Sequence, residues 1–198
     1  MSKNIENLKV ELARTAGLCH AGRLQTGNGG NLSARVPGER LMVVKASEVA
    51  FYGSGPDDYV VSDFDGNPVD GKRKPSRESL LHAAVYDARP DVMAVVHCHS
   101  PWATGWASTG LPLPSATYHA PLKLGGEPVV FDTGSYVVPK EFFPTIVESL
   151  TGSRGKSLAF LLKGHGQVAL GVSVLAAFYV AELVEETAHI AFVEQMLR

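Results

Sequence analysis

Apolar residues recur every three or four positions near both ends of the chain, and this spacing is typical of amphipathic helices. The first such segment covers residues 5–22 and ends near Gly22. The last runs from Val174 to Leu197 behind Ser173, a helix-capping residue, and its first half is almost wholly apolar. We therefore predict a helix near each end, the second of which must be buried on several sides.

A third helix is predicted in the middle of the chain, within KPSRESLLHAAVYDARPD (residues 74–91). Pro75 and Ser76 are helix-start signals, and Pro90 ends the pattern. Glu78 then falls in the first turn, where a carboxylate stabilises the positive end of the helix dipole. This dipole interaction alone would explain an acidic residue here, without any role in chemistry.

Short apolar runs bounded by Gly, Pro and Asp predict strands between these helices. The predicted strands lie within residues 41–47, 58–71, 92–100, 127–132 and 158–171. The glycine-rich residues 25–36 cannot hold a helix. No repeat or linker divides the chain, so we predict one domain over residues 1–198. Its fold class is α/β, a three-layer α-β-α sandwich with a central, mostly antiparallel sheet flanked by helices.

Composition and charge narrow the choice of partners. The chain has 198 residues, of which 45% are hydrophobic, enough to bury one substantial core. Its 18 Lys and Arg against 20 Asp and Glu give a formal net charge of -2, too balanced for a nucleic-acid groove or an anionic membrane surface. We expect a small-molecule ligand, with no nucleic-acid and no membrane partner.

The cysteines and the N-terminus bear on localisation. Only Cys19 and Cys98 occur, and Cys98 lies between two histidines, so a disulfide framework is not expected. Residues 1–17 lack the uninterrupted apolar stretch of a secretion signal, and no segment reaches the roughly 18 apolar residues of a membrane span. We expect a soluble, cytoplasmic protein.

The first candidate for chemistry is the pair His97 and His99, at the end of the strand predicted over residues 92–100. Side chains two apart on a strand point to one face, so both imidazoles should face one space while Cys98 turns to the opposite layer. Two histidines one residue apart also arise easily by chance. A third ligand is needed before they indicate a metal site.

His165, in KGHGQ, is the candidate third ligand. It ends an apolar run, and the flanking Gly164 and Gly166 permit a sharp turn and the close approach of a bulky group. Three imidazoles with open positions are the usual catalytic pattern for Zn²⁺ and similar metals. A histidine that only caps the strand by a hydrogen bond is the alternative. If a metal lies here, Glu78 can ligate it or accept a proton.

Four motifs, in this order and spacing, resemble the class II aldolase/adducin family: GNGGNLSAR, KPSRESLLH, AVVHCHS and LLKGHGQVALG. The resemblance extends from about Leu12 to Glu194. Each motif is weak alone, but four in register are specific to the family, though not to one reaction within it. The resemblance implies a class II aldolase-like fold and a homotetramer with active sites between neighbouring subunits.

The resemblance also implies one divalent metal per subunit, usually Zn²⁺, with Mn²⁺ or Co²⁺ as alternatives. His97, His99 and His165 take the positions of the three histidine ligands, and Glu78 can be a further ligand in the resting enzyme. In the family's aldolases the residue matching Glu78 removes a proton beside the substrate ketone, and the metal stabilises the enediolate that forms. Glu78 is therefore the predicted catalytic base.

The family binds its substrate phosphate with groups from three loops. The matching positions here are Asn28, Gly30, Asn31, Ser47, Ser76 and Arg77. Two positions depart from the family pattern, because Glu48 stands where a glycine is expected and Arg77 replaces a serine. A carboxylate beside a phosphate is unfavourable unless Arg77 neutralises it. This subsite is expected to hold a phosphate or, alternatively, a substrate carboxylate.

In the aldolases of the family, a tyrosine from the adjacent subunit protonates the leaving oxygen. Its position falls on His119, with Tyr118 next to it. Either side chain can serve as the acid, the histidine more readily near neutral pH. The chain ends at Arg198, and we expect the C-terminal tail that closes the aldolase site to be missing.

The leading hypothesis is a metal-dependent carbon–carbon lyase, an aldolase acting on a small ketose phosphate through a metal-bound enediolate. A decarboxylase of a small oxo or hydroxy acid is the nearest alternative, because loss of CO₂ gives the same type of enolate. A sugar-phosphate 4-epimerase shares the first step. A non-catalytic, adducin-like assembly module is the remaining alternative, against which the intact Glu78 and three histidines argue.

Overall fold

A computed structural model of the protein describes residues 2–69, 73–151 and 157–197. The predicted bounds at Met1 and Arg198, and residues 70–71 of one predicted strand, lie outside the described residues. The strands are β1 Asn31–Arg35, β2 Leu41–Lys45, β3 Tyr59–Asp63, β4 Ala94–Cys98, β5 Val129–Phe131, β6 Ala159–Leu162 and β7 Gly166–Gly171. They form one sheet in the order β3-β2-β1-β4-β7-β6-β5. Neighbours are antiparallel except for β5 and β6, so the predicted mostly antiparallel sheet is confirmed.

Helices cover both faces of this sheet. They are α1 Ser2–Ala21, α2 Ser79–Ala88, α3 Pro101–Ala107, α4 Ala120–Leu124, α5 Phe143–Thr151 and α6 Val174–Met196, with short 3₁₀ turns at Pro56–Asp58 and Lys140–Phe142. Helices α1, α3, α4 and α6 pack into the core on one face, and α2 and α5 pack into the core on the other. The fold is therefore the three-layer α-β-α sandwich that the sequence predicts.

The central strand β4 divides its side chains between these two cores. Val96 and Cys98 pack in the layer of α1, α3 and α6, whereas Val95 packs in the layer of α2 and α5. Because successive side chains on a strand alternate in direction, His97 faces the same layer as Val95. The sheet thus points His97 toward α2 and keeps Cys98 away from it.

The observed strands differ from the predicted ones at three places. Strand β1 lies inside the glycine-rich segment, where the sequence predicts no strand, and it pairs with both β2 and β4. The single strand predicted over residues 158–171 is wrong: it is two strands, β6 and β7, because the chain reverses at Gly164, which adopts φ 64°. Strand β4 ends at Cys98, so His99 lies just beyond it.

Helix α6 begins where the sequence predicts. The hydroxyl oxygen of Ser173 accepts a hydrogen bond from the backbone N–H of Ala176 at 3.2 Å, which caps the helix. The first half of α6 is buried at Ala177 and Ala181, as its apolar sequence requires. No helix in the described ranges is long and apolar enough to cross a membrane.

The contact between β7 and α6 leaves no room for a side chain at Gly171. A methyl group added there would overlap the backbone nitrogen of Ala177. Because only a backbone shift can relieve that overlap, Gly171→Ala should lower the free energy of unfolding by about 1–3 kcal/mol, measured by urea denaturation.

Gly17→Ala is the matched control, since Gly17 lies within α1 and has nothing within 4 Å of the added methyl group. This change should raise the free energy of unfolding by about 0.5–1 kcal/mol. Equal effects of the two substitutions would contradict the close packing of β7 on α6.

Candidate active site

Three histidine side chains meet at one end of the sheet. The Nε2 atom of His97 lies 3.1 Å from Nε2 of His99 and 3.2 Å from Nε2 of His165. The three rings have centroids 4.7 to 4.9 Å apart. Each offers a ligand atom, and these atoms all lie within 4.8 Å of one another. The fold therefore brings together the three histidines that the sequence selects as candidate ligands.

A different local feature places each histidine. His97 lies near the end of β4 and is fully buried. His99 follows the strand, and its backbone N–H donates to the side-chain oxygen of Gln25 at 2.8 Å. His165 lies in the turn between β6 and β7, directly after Gly164 in its left-handed conformation. The site thus depends on strand pairing rather than on one continuous motif.

The outer hydrogen bond of His97 leaves its inner nitrogen available for a cation. Nδ1 of His97 lies 2.8 Å from the backbone oxygen of Gln167. Because a carbonyl oxygen only accepts, Nδ1 carries a proton, and in the neutral form of the ring Nε2 presents a lone pair to the cluster. The side chain of Gln167 in turn donates to Ser100 Oγ at 2.7 Å and to the backbone oxygen of Ala181 at 3.1 Å. A fixed carbonyl behind the ring is the usual way to orient a ligating imidazole.

The start of α2 places a carboxylate against this cluster. The predicted position of Glu78 in the first turn is wrong by one residue, since α2 begins at Ser79 and Glu78 precedes it. The reason is a hydrogen-bonded turn in which the N–H of Ser79 donates to the backbone oxygen of Ser76 at 3.1 Å, before helical geometry sets in. As the N-terminal flanking residue, Glu78 is free to turn inward toward the sheet.

The Glu78 side chain is 8% exposed and reaches the histidines directly. Its Oε2 atom lies 3.1 Å from Nε2 of His97 and 3.9 Å from Nε2 of His165. The same oxygen accepts a hydrogen bond from Nδ2 of Asn31 at 3.2 Å. Oε1 has no hydrogen-bond partner among the described residues. The carboxylate is therefore held at one oxygen, and the other is buried without a hydrogen-bond partner among the described residues.

Electrostatic interactions keep this carboxylate ionised. Burial alone would raise the pKa of Glu78, but the charge and hydrogen bond of His97, with the charges of His165 and His82, lower it to about 2. Burial, followed by the neighbouring charge of His97, lowers the pKa of His99 to about 3 and that of His165 to about 4. At neutral pH Glu78 is therefore ionised and His99 and His165 are neutral. Burial lowers the pKa of His97, but the charge and hydrogen bond of Glu78 outweigh it and raise that pKa above its usual value. Ligation needs a neutral imidazole, so a cation that binds here takes the place of any proton on Nε2 of His97.

This donor set fits a divalent cation. Nε2 of His97 has a single lone pair, which cannot accept well-aligned hydrogen bonds from both His99 and His165. One cation, in contrast, can bind all three nitrogen atoms. Three imidazoles and a carboxylate with further positions open are typical of catalytic Zn²⁺ and related metals. His97, His99, His165 and Glu78 are thus the residues that would hold such an ion.

A cavity of about 190 Å³ opens beside the cluster. All six residues that the family resemblance assigns to phosphate binding line it, namely Asn28, Gly30, Asn31, Ser47, Ser76 and Arg77. Glu78 and His99 line the same cavity. The candidate base, one candidate ligand and the candidate phosphate-binding groups therefore face one small space.

Two charged side chains at this cavity lack partners. Glu48 and Arg77 both line it, and within the described ranges neither is paired with the other or with any other residue. The neutralisation of Glu48 by a direct ion pair with Arg77 is therefore not found. Glu48 also adopts φ 66°, a left-handed conformation that costs a non-glycine residue about 1 kcal/mol or more.

Lys45 and Tyr136 are two polar residues of this cavity that the sequence does not single out. Lys45 is buried at the end of β2, and its Nζ donates to two backbone oxygens, one of them that of Asn28 at 3.4 Å. Burial lowers the pKa of Lys45 to about 8, opposed in part by the charge of Asp58. The ring of Tyr136 lies 5.8 Å from that of His165. A lysine that ends an apolar strand is a usable signal, whereas nothing in the sequence around Tyr136 marks it.

Neither candidate for the acid reaches the cavity of its own chain. Tyr118 is fully exposed, and Nε2 of His119 lies 4.0 Å from the carboxylate of Glu186 on α6. Neither residue lines the cavity. One chain alone therefore does not bring these two side chains to Glu78 and the histidines.

The chain is similar in sequence to a known protein family and to individual proteins of named activity. Residues 10–192 match the family described as Class II Aldolase and Adducin N-terminal domain. The 5-deoxy-D-ribulose 1-phosphate aldolase of Bacillus thuringiensis serovar kurstaki is 33% identical over 169 residues, 85% of this chain and 76% of that protein. An L-ribulose-5-phosphate 4-epimerase of Salmonella paratyphi B is 32% identical over 170 residues, 83% of this chain and 75% of that protein.

A solved structure gives the same result for the fold. An L-fuculose 1-phosphate aldolase superposes with a TM-score of 0.87 at 31% identity, over 96% of this chain and 87% of the other. The chain therefore belongs to the class II aldolase and adducin family. It is an enzyme of the class II aldolase type, in a metal-dependent family, and it carries a three-histidine cluster suited to the metal.

If the cluster binds the metal, each histidine is needed for it. We expect His99→Ala and His165→Ala each to lower zinc affinity at least about 100-fold, because even residues that only orient a ligand contribute 10- to 100-fold. The measurement is zinc titration of the metal-free proteins, followed by metal analysis. His20→Gln is the control, since His20 lies on α1 and its ring contacts that of Tyr52 instead. Wild-type affinity in His99→Ala would exclude His99 as a ligand.

Proposed function

We propose that this enzyme is an aldolase that breaks and forms a carbon–carbon bond beside the ketone of a small ketose phosphate. The observation that carries the proposal is the position of Glu78, an ionised carboxylate 3.1 Å from His97 that faces a cavity rich in phosphate-type donors. The similarity to proteins named 5-deoxy-D-ribulose 1-phosphate aldolase and L-fuculose 1-phosphate aldolase supports this class of substrate.

We assign one divalent metal to His97, His99 and His165, with Glu78 as a further ligand in the absence of substrate. Zn²⁺ is proposed in preference to Mn²⁺ or Co²⁺, because three nitrogen donors in a small site suit it well. When bound, the cation supplies Lewis-acid stabilisation of negative charge on a substrate oxygen.

Glu78 is the proposed proton acceptor. Asn31 and His97 hold its Oε2 atom, while Oε1 has no partner among the described residues. This leaves one oxygen of a positioned carboxylate free to take a proton from the carbon beside a substrate ketone. The cavity at this carboxylate is small, which favours a substrate fragment of few carbon atoms.

The other end of the cavity is the proposed phosphate site. Ser76 and Arg77 lie just before α2, where the positive end of the helix dipole favours an anion. The buried ammonium group of Lys45 adds a positive charge to the same cavity. Asn28, Gly30, Asn31 and Ser47 complete the proposed set.

We further propose a homotetramer in which Tyr118 or His119 of a neighbouring subunit supplies the acid. The exposure of both side chains, outside the cavity of their own chain, supports this arrangement. A cytoplasmic location is proposed as well, because the two cysteines are free thiols, as is usual in a reducing compartment.

Two other reactions use the same first step. A decarboxylase is favoured by the unpaired Arg77 guanidinium, which can bind a substrate carboxylate as well as a phosphate. A 4-epimerase is favoured by the similarity to an L-ribulose-5-phosphate 4-epimerase. Both reactions would need Glu78 or the metal site intact, so a variant of these residues does not distinguish them from the aldolase. The substrate that the enzyme turns over does distinguish them.

If Glu78 is the base, Glu78→Gln should lower turnover by about 10²-fold or more. The variant and the wild type, both loaded with zinc, are mixed with dihydroxyacetone phosphate in D₂O, and NMR follows exchange of one proton beside the carbonyl. We expect stereospecific exchange in the wild type and none in Glu78→Gln. Exchange at the wild-type rate in the variant would exclude Glu78. No exchange in the wild type would favour the decarboxylase.

If the phosphate site includes Glu48, its charge weakens phosphate binding. Glu48→Gly and Glu48→Gln should each lower the inhibition constant of inorganic phosphate by about tenfold, because both remove a like charge from the same cavity. Glu48→Gln keeps the length of the side chain and so separates charge from backbone strain. Weaker inhibition by phosphate in both variants would contradict a phosphate in this subsite.

A further inference from the structure

A row of buried polar contacts joins α2 to β1 behind the active site. Nδ2 of Asn31 donates to Oε2 of Glu78 at 3.2 Å. One turn further along α2, Nδ1 of His82 lies 2.8 Å from Oγ of Ser33. One turn beyond that, the hydroxyl of Tyr86 lies 2.7 Å from the same Ser33 Oγ. We call these five residues the α2–β1 polar interface.

The spacing of this interface follows from the geometry of its two elements. Asn31 and Ser33 are two apart on a strand, so they point to one face about 6.6–6.8 Å apart. Glu78 and His82 are four apart at the start of a helix, one above the other and about 6 Å apart. The two spacings match, so each strand residue meets its own helix residue. A shift of α2 by one residue would break both contacts together.

The residues of the α2–β1 polar interface are buried, which makes their hydrogen bonds necessary to the fold. Ser33, His82 and Tyr86 are 0% exposed, and Asn31 and Glu78 are nearly so. A buried polar group that loses its partner is destabilising, so these contacts hold α2 in one position. Ser33 can serve both neighbours at once, because its hydroxyl donates one hydrogen bond and accepts others.

His82, like Ser33 and Tyr86, neither lines the cavity nor belongs to the histidine cluster. Its backbone N–H lies 3.4 Å from the backbone oxygen of Glu78, so one helical turn links the two residues. Its side chain anchors that turn to β1, and β1 pairs with β4 so that Asn31 lies opposite His97. The anchor therefore connects Glu78 to the strand that carries His97 by a short, buried route.

We propose that His82 is a positioning residue of this enzyme: through its hydrogen bond to Ser33, it holds the first turn of α2 where the carboxylate of Glu78 meets His97. This inference rests on the proposed role of Glu78 as the base. His82 does not contact the substrate, so its loss should lower kcat and leave KM nearly unchanged. A base displaced by about 1 Å loses on the order of 10²-fold in rate, and we expect a tenfold to hundredfold loss.

The test is a double-mutant cycle between positions 82 and 78 in the zinc-loaded enzyme. His82→Leu should lower kcat by tenfold to hundredfold with KM changed less than about twofold. In the Glu78→Gln background the same change should cost less than about twofold, because His82 acts through Glu78. His82→Gln, whose amide can still bond the Ser33 hydroxyl, should recover kcat to within about threefold of wild type.

Two further measurements separate positioning from general loosening of α2. Leu81→Val lies next to His82 in a buried, apolar setting, and it should lower the melting temperature of the metal-free protein with little change in kcat. A crystal structure of His82→Leu should show Oε2 of Glu78 displaced from its place 3.1 Å from His97 Nε2. If His82→Leu does not fold, Ser33→Ala removes the same anchor from the strand side and takes its place.

The outcomes distinguish this inference from the proposed function. Full activity in Glu78→Gln would overturn the proposed base, whatever His82 does. An inactive Glu78→Gln combined with wild-type kcat in His82→Leu would overturn the positioning role alone. Equal losses from His82→Leu in both backgrounds would overturn it too, because His82 would then act independently of Glu78.

Discussion

The pairing of β4 with β7 is the contact on which the active site depends. It sets His97 opposite Val168 and Cys98 opposite Gln167 in antiparallel register. The end of β4 therefore meets the turn that carries His165, although the two histidines are far apart in sequence. The same pairing holds the Gln167 carbonyl 2.8 Å from Nδ1 of His97. A shift of the strand register by one residue would turn His97 toward the opposite layer and separate it from the other two histidines.

The second constraint is the burial of charge beside these strands. A buried carboxylate costs several kcal/mol unless it is paired and hydrogen-bonded. Asn31 and His97 supply that pairing for Glu78, and each comes from a central strand. A cation bound at the cluster would add favourable charge, so metal binding and folding are expected to stabilise each other.

Sequence alone predicts the layered fold and most of the candidate site, because these residues lie in short motifs. His97, His99 and His165 stand at strand ends or beside glycines, where local patterns are informative. Lys45 and Tyr136 are missed because their approach to the cavity depends on how separate segments pack.

The errors in secondary structure have similar physical causes. Strand β1 is missed because its glycine-rich approach hides a short strand that begins with the polar Asn31. Glu78 is displaced by one residue because a turn at Ser76, rather than the helix itself, sets its direction. The roles of Tyr118 and His119 depend on a neighbouring subunit, which no local pattern describes.

Anomalous X-ray diffraction from crystals of the zinc-loaded protein, recorded above and below the zinc edge, tests the central claim most directly. The account predicts one anomalous peak per chain, about 2.0–2.1 Å from Nε2 of His97, His99 and His165. A peak at another place, with none at this cluster in crystals that contain zinc, would contradict the account.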